Sequence, residues 1–386
     1  IGGNIRIHLT AHCLLPFSLP FLSSYHRSSH RHCQAMILAA SSLRDFFKLL
    51  LLFQTLTSAL SFATMSAGAP RPSVHYPQYV EKLPPMTGKT VVVTGSSRGL
   101  GYVTALALAK KGASLFLLNR RSTRAEEAQA KIAAECSGPP PQHVDCDLQD
   151  FGSVLEAAAK LRQDADDGID VLCCNAGIML QPDQASKDGY DITISTNVLS
   201  HFLLTRELMP ELEKAASLRG EARIVSMSSL SGFGGAALDP KFFSRNGGNL
   251  GGQQASYERY HQSKLANLLF TCALEDKLKA QGSPVKAVAC HPGVCATDMF
   301  VHAQSLFNPG RPADLSIVPS AEDGSVGQLK CICDPTVESG ELYGPIARGE
   351  TEPSKLAMVP PNVNVDDASK AKLWAACEEA VGAFNL

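Results

Sequence analysis

Short apolar runs and segments with a helical hydrophobic period follow each other regularly from about residue 88 to about residue 300, and the pattern is less regular after that. The first apolar run, Thr90-Val91-Val92-Val93-Thr94, is continuous, which is typical of a strand buried on both faces of a sheet. Strands are also predicted at 114–118, around 143–144, and at 169–174, 222–227, 285–290 and 341–343, and helices at 99–111, 122–135, 150–163, 190–216, 256–279, 321–333 and 366–384. Because strands and helices alternate, the pattern predicts one doubly wound α/β domain with a parallel sheet flanked by helices.

The first 65 residues differ from the rest in composition. No Asp or Glu precedes Asp45, while Ser, His and Arg are frequent, and the mostly apolar run 49–60 ends in small residues. These features are typical of a transit or signal segment, so residues 1–65 are predicted to be a presequence outside the fold. An organelle is the expected destination, with a plastid favoured and a membrane anchor in the endoplasmic reticulum as the alternative. Membrane association is expected only through this segment.

Two further boundaries follow from composition. Residues 66–87 are rich in proline and predict a linker or surface arm, which leaves 88–386 as the catalytic domain. A glycine-rich stretch at 230–256 is predicted to be an insertion in that domain, either a mobile lid over a bulky substrate or a neutral surface expansion.

The overall composition is that of a soluble enzyme. The 386 residues are 45% hydrophobic and 19% charged, with a formal net charge of −2, so no nucleic-acid partner is expected. The 12 cysteines include no Cys-x-x-Cys pair. No metal site is therefore predicted, and most cysteines are expected to be small buried residues in a reducing compartment. The sequence gives no indication of the oligomeric state.

One short motif predicts proton transfer. In Tyr260-His261-Gln262-Ser263-Lys264, the tyrosine and the lysine are four residues apart on a predicted helix and therefore lie on one face. A free phenol has a pKa of about 10, and a neighbouring ammonium favours the phenolate. Tyr260 is thus a candidate general acid/base whose pKa is expected to be lowered by Lys264. Tyr257 is a weaker candidate, because His261 takes the place of the lysine.

A glycine-rich turn joins the first predicted strand to the following helix. Glycines in this context permit a tight turn and let phosphate oxygens approach backbone N–H groups at the helix N-terminus. The turn therefore predicts a Rossmann-type dinucleotide site, and its candidate contacts are Gly95, Ser97, Arg98, Gly99, Leu100 and Gly101.

The end of the second predicted strand indicates which dinucleotide is bound. An acidic residue at this place would hold a ribose 2′-hydroxyl, whereas an arginine accommodates a 2′-phosphate. The chain has Asn119-Arg120-Arg121 there, with no acid. The sequence predicts NADP(H), with Arg120 as the selecting residue; the alternative is that Arg120 and Arg121 only line a solvated loop.

These motifs together resemble the short-chain dehydrogenase/reductase (SDR) family. The resemblance covers about residues 88–300 and rests on six motifs in the order and approximate spacing of the family: the turn from Thr94 to Gly101, Cys174-Asn175-Ala176-Gly177, Asn197, Ser228-Ser229, Tyr260-x-x-x-Lys264 and Pro292-Gly293. The stretches around Asn197 and Tyr260 are similar to the branch that contains retinol dehydrogenases and light-dependent protochlorophyllide reductases.

The resemblance implies a catalytic set of four residues. Tyr260 would be the general acid/base, and Lys264 would lower its pKa and hold the nicotinamide ribose. Ser229 would hydrogen-bond the substrate oxygen, and Asn197 would support a proton-relay water.

The resemblance also implies cofactor contacts beyond the glycine turn. They are Asp147 at the adenine with Leu148 beside it, Asn175, Ala176 and Gly177 along the cofactor, and Pro292, Gly293 and Thr297 near the carboxamide or pyrophosphate.

The expected function is that of an NADPH-dependent, retinol dehydrogenase-like oxidoreductase. It would transfer hydride between the nicotinamide and a carbonyl, an alcohol or a conjugated double bond of a small hydrophobic substrate. Two alternatives remain open from the sequence: a light-dependent protochlorophyllide reductase-like enzyme, and an NADPH-binding regulatory scaffold without significant turnover.

Overall fold

The computed structural model describes residues 68–233, 236–345, 356–358 and 365–386. The chain divides into two units, Ile1–Met65 and Ser66–Leu386, and only the second contains described residues. The predicted presequence, 1–65, lies outside the described residues, so the predictions of a plastid or membrane destination stay predictions. Within the described part of the chain, no helix is long and apolar enough to cross a membrane.

An eight-stranded sheet forms the centre of the domain. Its strands are β1 Thr90–Thr94, β2 Ser114–Asn119, β3 Gln142–Asp145, β4 Val171–Cys174, β5 Ala222–Met227, β6 Val285–Cys290, β7 Leu342–Pro345 and β8 Leu356–Met358. The strand order is β3-β2-β1-β4-β5-β6-β7-β8, and every pair is parallel except the antiparallel pair of β7 and β8. All seven predicted strands are present, and β8 is an additional edge strand that the sequence pattern did not predict.

Helices cover both faces of the sheet. They are α1 Tyr76–Glu81, α2 Gly99–Lys110, α3 Thr123–Glu135, α4 Phe151–Asp164, α5 (Ile192–Ile194, the π-helical turn Ser195–Leu199 and Ser200–Arg219), α6 Ser256–Ala280, α7 Asp298–Phe307, α8 Ala321–Cys333 and α9 Asp367–Val381. The predicted single α/β domain with a parallel sheet flanked by helices is confirmed, while α1 and α7 were not predicted.

Strand β1 shows how the sheet builds two apolar layers. Val92 lies in the cluster that includes residues of α4, α5, α6 and α9, whereas Val91 and Val93 lie in the cluster that includes residues of α2 and α8. Successive strand residues point to opposite faces, so one continuous apolar run serves both layers. Trp374 of α9 packs against Phe202, with ring centroids 5.0 Å apart, so the terminal helix packs on the domain.

The segment before β1 belongs to the packed domain. Leu83 and Met86 are buried beside the sheet. The backbone N–H groups of residues 74–76 all donate to the carboxylate of Asp323 on α8, each at 2.9 Å. For the described part of 66–87, these contacts favour the predicted surface arm over a free linker, because a few apolar anchors and one buried carboxylate fix a segment that has no regular hydrophobic period.

Candidate active site

The glycine turn brings α2 close to the end of β4. Gly95 and Gly99 have positive φ angles of 68° and 56°. A Cβ atom on Gly101 would lie 2.4 Å from both the Asn175 Nδ2 atom and the Gly95 carbonyl oxygen. Arg98, at the N-cap of α2, makes no side-chain capping hydrogen bond. The first turn of α2 can therefore present its N–H groups to an anion, as a phosphate-binding turn requires.

A buried hydrogen-bond network holds Asn175 against this turn. Its Nδ2 donates to the carbonyl oxygens of Thr94 at 2.9 Å and Gly95 at 3.2 Å. The Thr94 hydroxyl accepts the backbone N–H groups of Asn175 and Ala176, both at 3.0 Å. Gln328 of α8 donates to Asn175 Oδ1 at 3.2 Å and accepts from Thr104 of α2 at 2.7 Å. The network fixes the spacing between β1, β4 and α2.

Three arginines surround the place where an adenosine phosphate would lie, and they differ in their partners. Arg98 forms an exposed ion pair with Asp298 at the start of α7. The Arg121 Nε atom lies 3.9 Å from Asp145, which also accepts the Arg121 backbone N–H at 2.9 Å. Arg120 is exposed and makes no hydrogen bond or ion pair with another described residue. Of these three arginines, Arg120 is therefore the one without an ion-pair partner among the described residues.

The remaining predicted cofactor residues follow the carboxyl ends of β3 and β6. Asp147 and Leu148 come just after β3, and the Leu148 carbonyl accepts from Ser200 of α5 at 2.7 Å. Pro292 and Gly293 follow β6. In doubly wound folds, ligands bind at this edge of the sheet.

Thr297, the last of the predicted cofactor contacts, lies against the glycine turn. Its Cγ2 atom is 3.7 Å from the position that a Cβ on Gly99 would take. The segment after β6 therefore returns to the phosphate-binding turn.

Asn197 lies in the π-helical turn of α5. Its Oδ1 accepts the Ile178 N–H at 2.9 Å, and its Nδ2 donates to the Ile178 carbonyl at 3.0 Å and to Ser263 Oγ of α6 at 2.9 Å. A single-turn π-helix inside an α-helix is frequent at functional sites. The turn places Asn197 between the segment after Gly177 and the helix that carries Tyr260.

Tyr260 and Lys264 lie on one face of α6, as the sequence predicts. Both are buried, and the Lys264 Nζ atom is 5.8 Å from the centre of the Tyr260 ring. Lys264 donates to the Met227 carbonyl at 2.8 Å, at the end of β5. The Tyr260 hydroxyl lies 3.8 Å from the Met299 Sδ atom, and the side chains of Ser229 and Ser231 also interact with it.

The predicted lowering of the Tyr260 pKa is wrong for this structure. Burial raises the pKa of the phenol to about 12, and the interactions with Ser229 and Ser231 oppose this shift only in part. Burial also lowers the pKa of Lys264 to about 8. The prediction rested on the charge of the lysine and omitted desolvation, which disfavours both charged forms. Tyr260 is a neutral O–H donor near pH 7.

Comparisons with known proteins agree with this geometry. A family model described as short chain dehydrogenase matches residues 89–241. A short-chain dehydrogenase/reductase of Armillaria gallica is 33% identical over 266 residues, which cover 69% of this chain and 82% of that protein. The chain belongs to the short-chain dehydrogenase/reductase family.

Two further comparisons define this SDR oxidoreductase more closely. Retinol dehydrogenase 14 of Mus musculus is 31% identical over 318 residues, which cover 77% of this chain and 87% of that protein. An uncharacterized protein of Mycobacterium paratuberculosis has a solved structure with a TM-score of 0.61, 30% identity, and coverage of 80% of this chain and 98% of its own. The resemblance to the retinol dehydrogenase-like branch is thus confirmed. For two other relatives the chain spans less than two thirds of their length, 63% and 61%.

Sequence reasoning missed several residues that hold this SDR site together. His201 Nε2 lies 2.9 Å from the Thr94 hydroxyl, and His201 Nδ1 lies 3.2 Å from the Asn197 carbonyl. Because that carbonyl can only accept, Nδ1 carries the proton and Nε2 accepts from Thr94. The spacing of four residues from Asn197 to His201 was a usable signal, whereas nothing local in the sequence marks Gln328 as a partner of Asn175.

The buried imidazole of His201 predicts loss of stability in acid. Burial lowers its pKa to about 4, so the folded state binds fewer protons than the unfolded state between about pH 6.5 and pH 4. The free energy of unfolding should therefore fall as the pH drops through this window, by up to about 3 kcal/mol for this group. Denaturant unfolding at pH 7 and pH 4.5 measures the loss. His201→Gln should show a smaller loss than the wild type, and His302→Gln should behave as the wild type; equal losses in all three would contradict the assignment.

Proposed function

We propose that this SDR is an NADPH-dependent reductase that transfers hydride from the nicotinamide to a carbonyl, or a conjugated double bond, of a small hydrophobic substrate, and runs the reverse reaction on the alcohol. The observation that carries the proposal is the placement of Tyr260: a buried phenol that interacts with the side chains of Ser229 and Ser231 and lies one helical turn from Lys264. A neutral phenol is the form that can donate a proton to a carbonyl oxygen as hydride arrives at its carbon.

The glycine turn fits a dinucleotide. Gly101 lies so close to Asn175 and Gly95 that there is no room for a side chain at this position. Since no side chain covers it, the first turn of α2 is open to phosphate oxygens. Arg120, which is exposed and has no ion-pair partner among the described residues, supplies positive charge beside it, and the side chain that ends β2 is the amide of Asn119. These features support NADP(H) over NAD(H).

The chain's own residues perform the acid–base part of the reaction. Ser229 and Tyr260 would hold the substrate oxygen, and Tyr260 would donate its proton to it. Lys264, kept in place by the Met227 carbonyl, would contact the nicotinamide ribose and take part in returning the proton to Tyr260. Asn197 would connect this relay to water. When bound, the nicotinamide supplies the hydride from its C4 atom.

Apolar side chains near Tyr260 support a hydrophobic substrate. The Met299 Sδ atom lies 3.8 Å from the Tyr260 hydroxyl. Leu230, next to Ser229, is exposed, as are Val301 and Phe307 of α7. Exposed apolar groups on the segments that carry Ser229 and Met299 suit an apolar molecule with one oxygen function. The relative named retinol dehydrogenase 14 is consistent with such a substrate.

Turnover screening tests the proposed function. Purified protein is mixed with NADPH and a series of apolar aldehydes and ketones that includes retinal, and NADPH oxidation is followed by absorbance. Consumption of NADPH with formation of the alcohol is the expected result. Tight NADPH binding without turnover of any carbonyl would favour a scaffold instead, and chlorophyllide formation on illumination with protochlorophyllide would favour the light-dependent reductase.

Cofactor preference tests the role proposed for Arg120. Arg120→Asp should reverse the preference from NADPH to NADH, because it removes the partner of the 2′-phosphate and adds an acceptor for the ribose 2′-hydroxyl. The expected change in the ratio of dissociation constants is at least about tenfold, which corresponds to about 1.4 kcal/mol. Arg121→Ala is the matched control and should change the ratio little, since Arg121 already pairs with Asp145. Tighter binding of NADH than NADPH by the wild type would contradict the proposal.

A further inference from the structure

The residue before Tyr260 is a fully buried arginine. Arg259 and Asp191 are both 0% exposed, and the Arg259 Nε atom lies 3.0 Å from Asp191 Oδ2. The guanidinium also donates to the carbonyls of Leu250 at 3.2 Å, Gly252 at 2.8 Å and Gln181 at 3.0 Å. A buried arginine with an ion-pair partner and three carbonyl acceptors has a fixed position, because each lost contact would leave a desolvated polar group.

The ion pair joins the two helices that carry the proposed catalytic residues. Asp191 Oδ1 accepts the backbone N–H groups of Thr193 at 2.9 Å and Ile194 at 3.1 Å, and so caps the start of α5. The π-helical turn that follows directly carries Asn197. Arg259 therefore connects the start of α5 to the turn of α6 that carries Tyr260.

Arg259 also holds one end of the glycine-rich insertion, residues 230–256. Arg259 binds the carbonyls of Leu250 and Gly252 in the insertion. The backbone N–H groups of the same two residues donate to Asp183 at 2.6 and 2.9 Å. Because both the carbonyls and the N–H groups of these two residues are bound, this end of the insertion has a fixed position.

The next residues on α6 hold the other end of the insertion. The His261 imidazole is hydrogen-bonded to the Ser231 carbonyl, and Gln262 binds the Ala237 carbonyl and the Asp239 N–H, both at 3.0 Å. Phe242 and Phe243 of the insertion are buried in the core. Of the two interpretations of the insertion, a mobile lid or a neutral surface expansion, these contacts count against the mobile lid.

We propose that Arg259 is a positioning residue: it locks the insertion and the start of α5 to the turn of α6 that carries Tyr260, and thereby sets the distance from Tyr260 to Ser229 and Asn197. The inference rests on the proposed function, since it concerns the geometry of that reaction. Displacement of a reacting group by about 1 Å can cost a hundredfold in rate, so a loosened clamp should affect kcat.

The kinetic test compares three variants with the wild type. Arg259→Met should lower kcat by about tenfold to a hundredfold, with the NADPH dissociation constant and the KM of the carbonyl changed less than about twofold. Arg259→Lys, which keeps a cation for Asp191, should recover part of the lost kcat. Arg245→Met is the matched control, because Arg245 lies in the insertion but is exposed, and it should leave kcat unchanged.

Two additions keep the result decisive. The double variant Arg259→Met/Asp191→Asn removes both buried charges, so a similar loss of kcat is expected even if Arg259→Met alone does not fold. Asp183→Asn leaves the ion pair in place and should loosen only the insertion. Cleavage by thermolysin between residues 244 and 252, mapped by mass spectrometry, should be faster than in the wild type for both the Arg259 and the Asp183 variants.

The outcomes separate this inference from the proposed function. An active wild type with unchanged kcat in Arg259→Met and in the double variant would overturn the role of Arg259 alone. Unchanged thermolysin cleavage in the Arg259 and Asp183 variants would overturn the clamp. An inactive wild type would overturn the proposed function and, with it, the role of Arg259 in the reaction.

Discussion

Tyr260→Phe is expected to reduce turnover by at least about a hundredfold, because general acid–base catalysis contributes about a hundredfold to ten-thousandfold. Phenylalanine keeps the buried ring and removes only the hydroxyl that interacts with Ser229 and Ser231. The NADPH dissociation constant should therefore stay within about twofold, because the glycine turn and Lys264 are unchanged. Single-turnover kinetics together with NADPH fluorescence titration measure the two quantities separately.

Tyr257→Phe is the matched control for this experiment. Tyr257 lies one turn earlier on α6, and burial raises the pKa of its phenol as well. It has no lysine four residues beyond it, so its replacement should leave kcat nearly unchanged. If Tyr257→Phe inactivated the enzyme while Tyr260→Phe left it active, every catalytic assignment proposed for α6 would fall.

Gly101→Ala is expected to weaken cofactor binding through backbone geometry. The new Cβ would lie 2.4 Å from the Gly95 carbonyl oxygen, and backbone of a tight turn cannot move aside as a flexible side chain can. Overpacking of this kind costs about 1–3 kcal/mol of stability. If the same displacement spoils the phosphate contacts, the NADPH dissociation constant should rise by about tenfold to a hundredfold. Isothermal titration and denaturant unfolding measure both effects.

Gly282→Ala separates the loss of stability from the loss of binding. Gly282 lies in the loop after α6 with a positive φ of 67°, and a Cβ added there would meet nothing within 4 Å. Alanine there should cost about 1–2 kcal/mol through backbone strain alone, with NADPH affinity unchanged. If Gly282→Ala weakened NADPH binding as much as Gly101→Ala, the steric account of the glycine turn would be wrong.

Local chemistry explains why the fold could be predicted so fully from the sequence. Continuous apolar runs such as Thr90–Thr94 occur where a strand is buried on both faces, and the residues predicted to begin two helices, Ser122 and Asp150, prove to be their N-caps. The Ser122 hydroxyl accepts the Ala125 N–H at 3.2 Å, and Asp150 Oδ1 accepts the Gly152 N–H at 2.9 Å. Edge strand β8 escaped prediction because three residues are too few to show a period.

The candidate site was predictable only where its chemistry follows from local spacing. A spacing of four residues on a predicted helix puts Tyr260 and Lys264 on one face. The position of the glycines directly after a buried strand identifies the phosphate-binding turn. The Tyr260 pKa was not predictable in this way, since burial is a property of the whole fold and here outweighs the effect of Lys264. Arg259 was missed for the same reason: its partners lie at residues 181, 191, 250 and 252, and only the folded chain brings them together.

Transfer of deuterium tests the central claim most directly. NADPH labelled at C4, on one face and then on the other, is incubated with the wild-type protein and retinal, and the alcohol is analysed by mass spectrometry. We expect label from one of the two faces to appear on the carbinol carbon of the product, and Tyr260→Phe to abolish this transfer. NADPH consumed without deuterium in the alcohol, or equal transfer by Tyr260→Phe, would contradict the proposed hydride transfer.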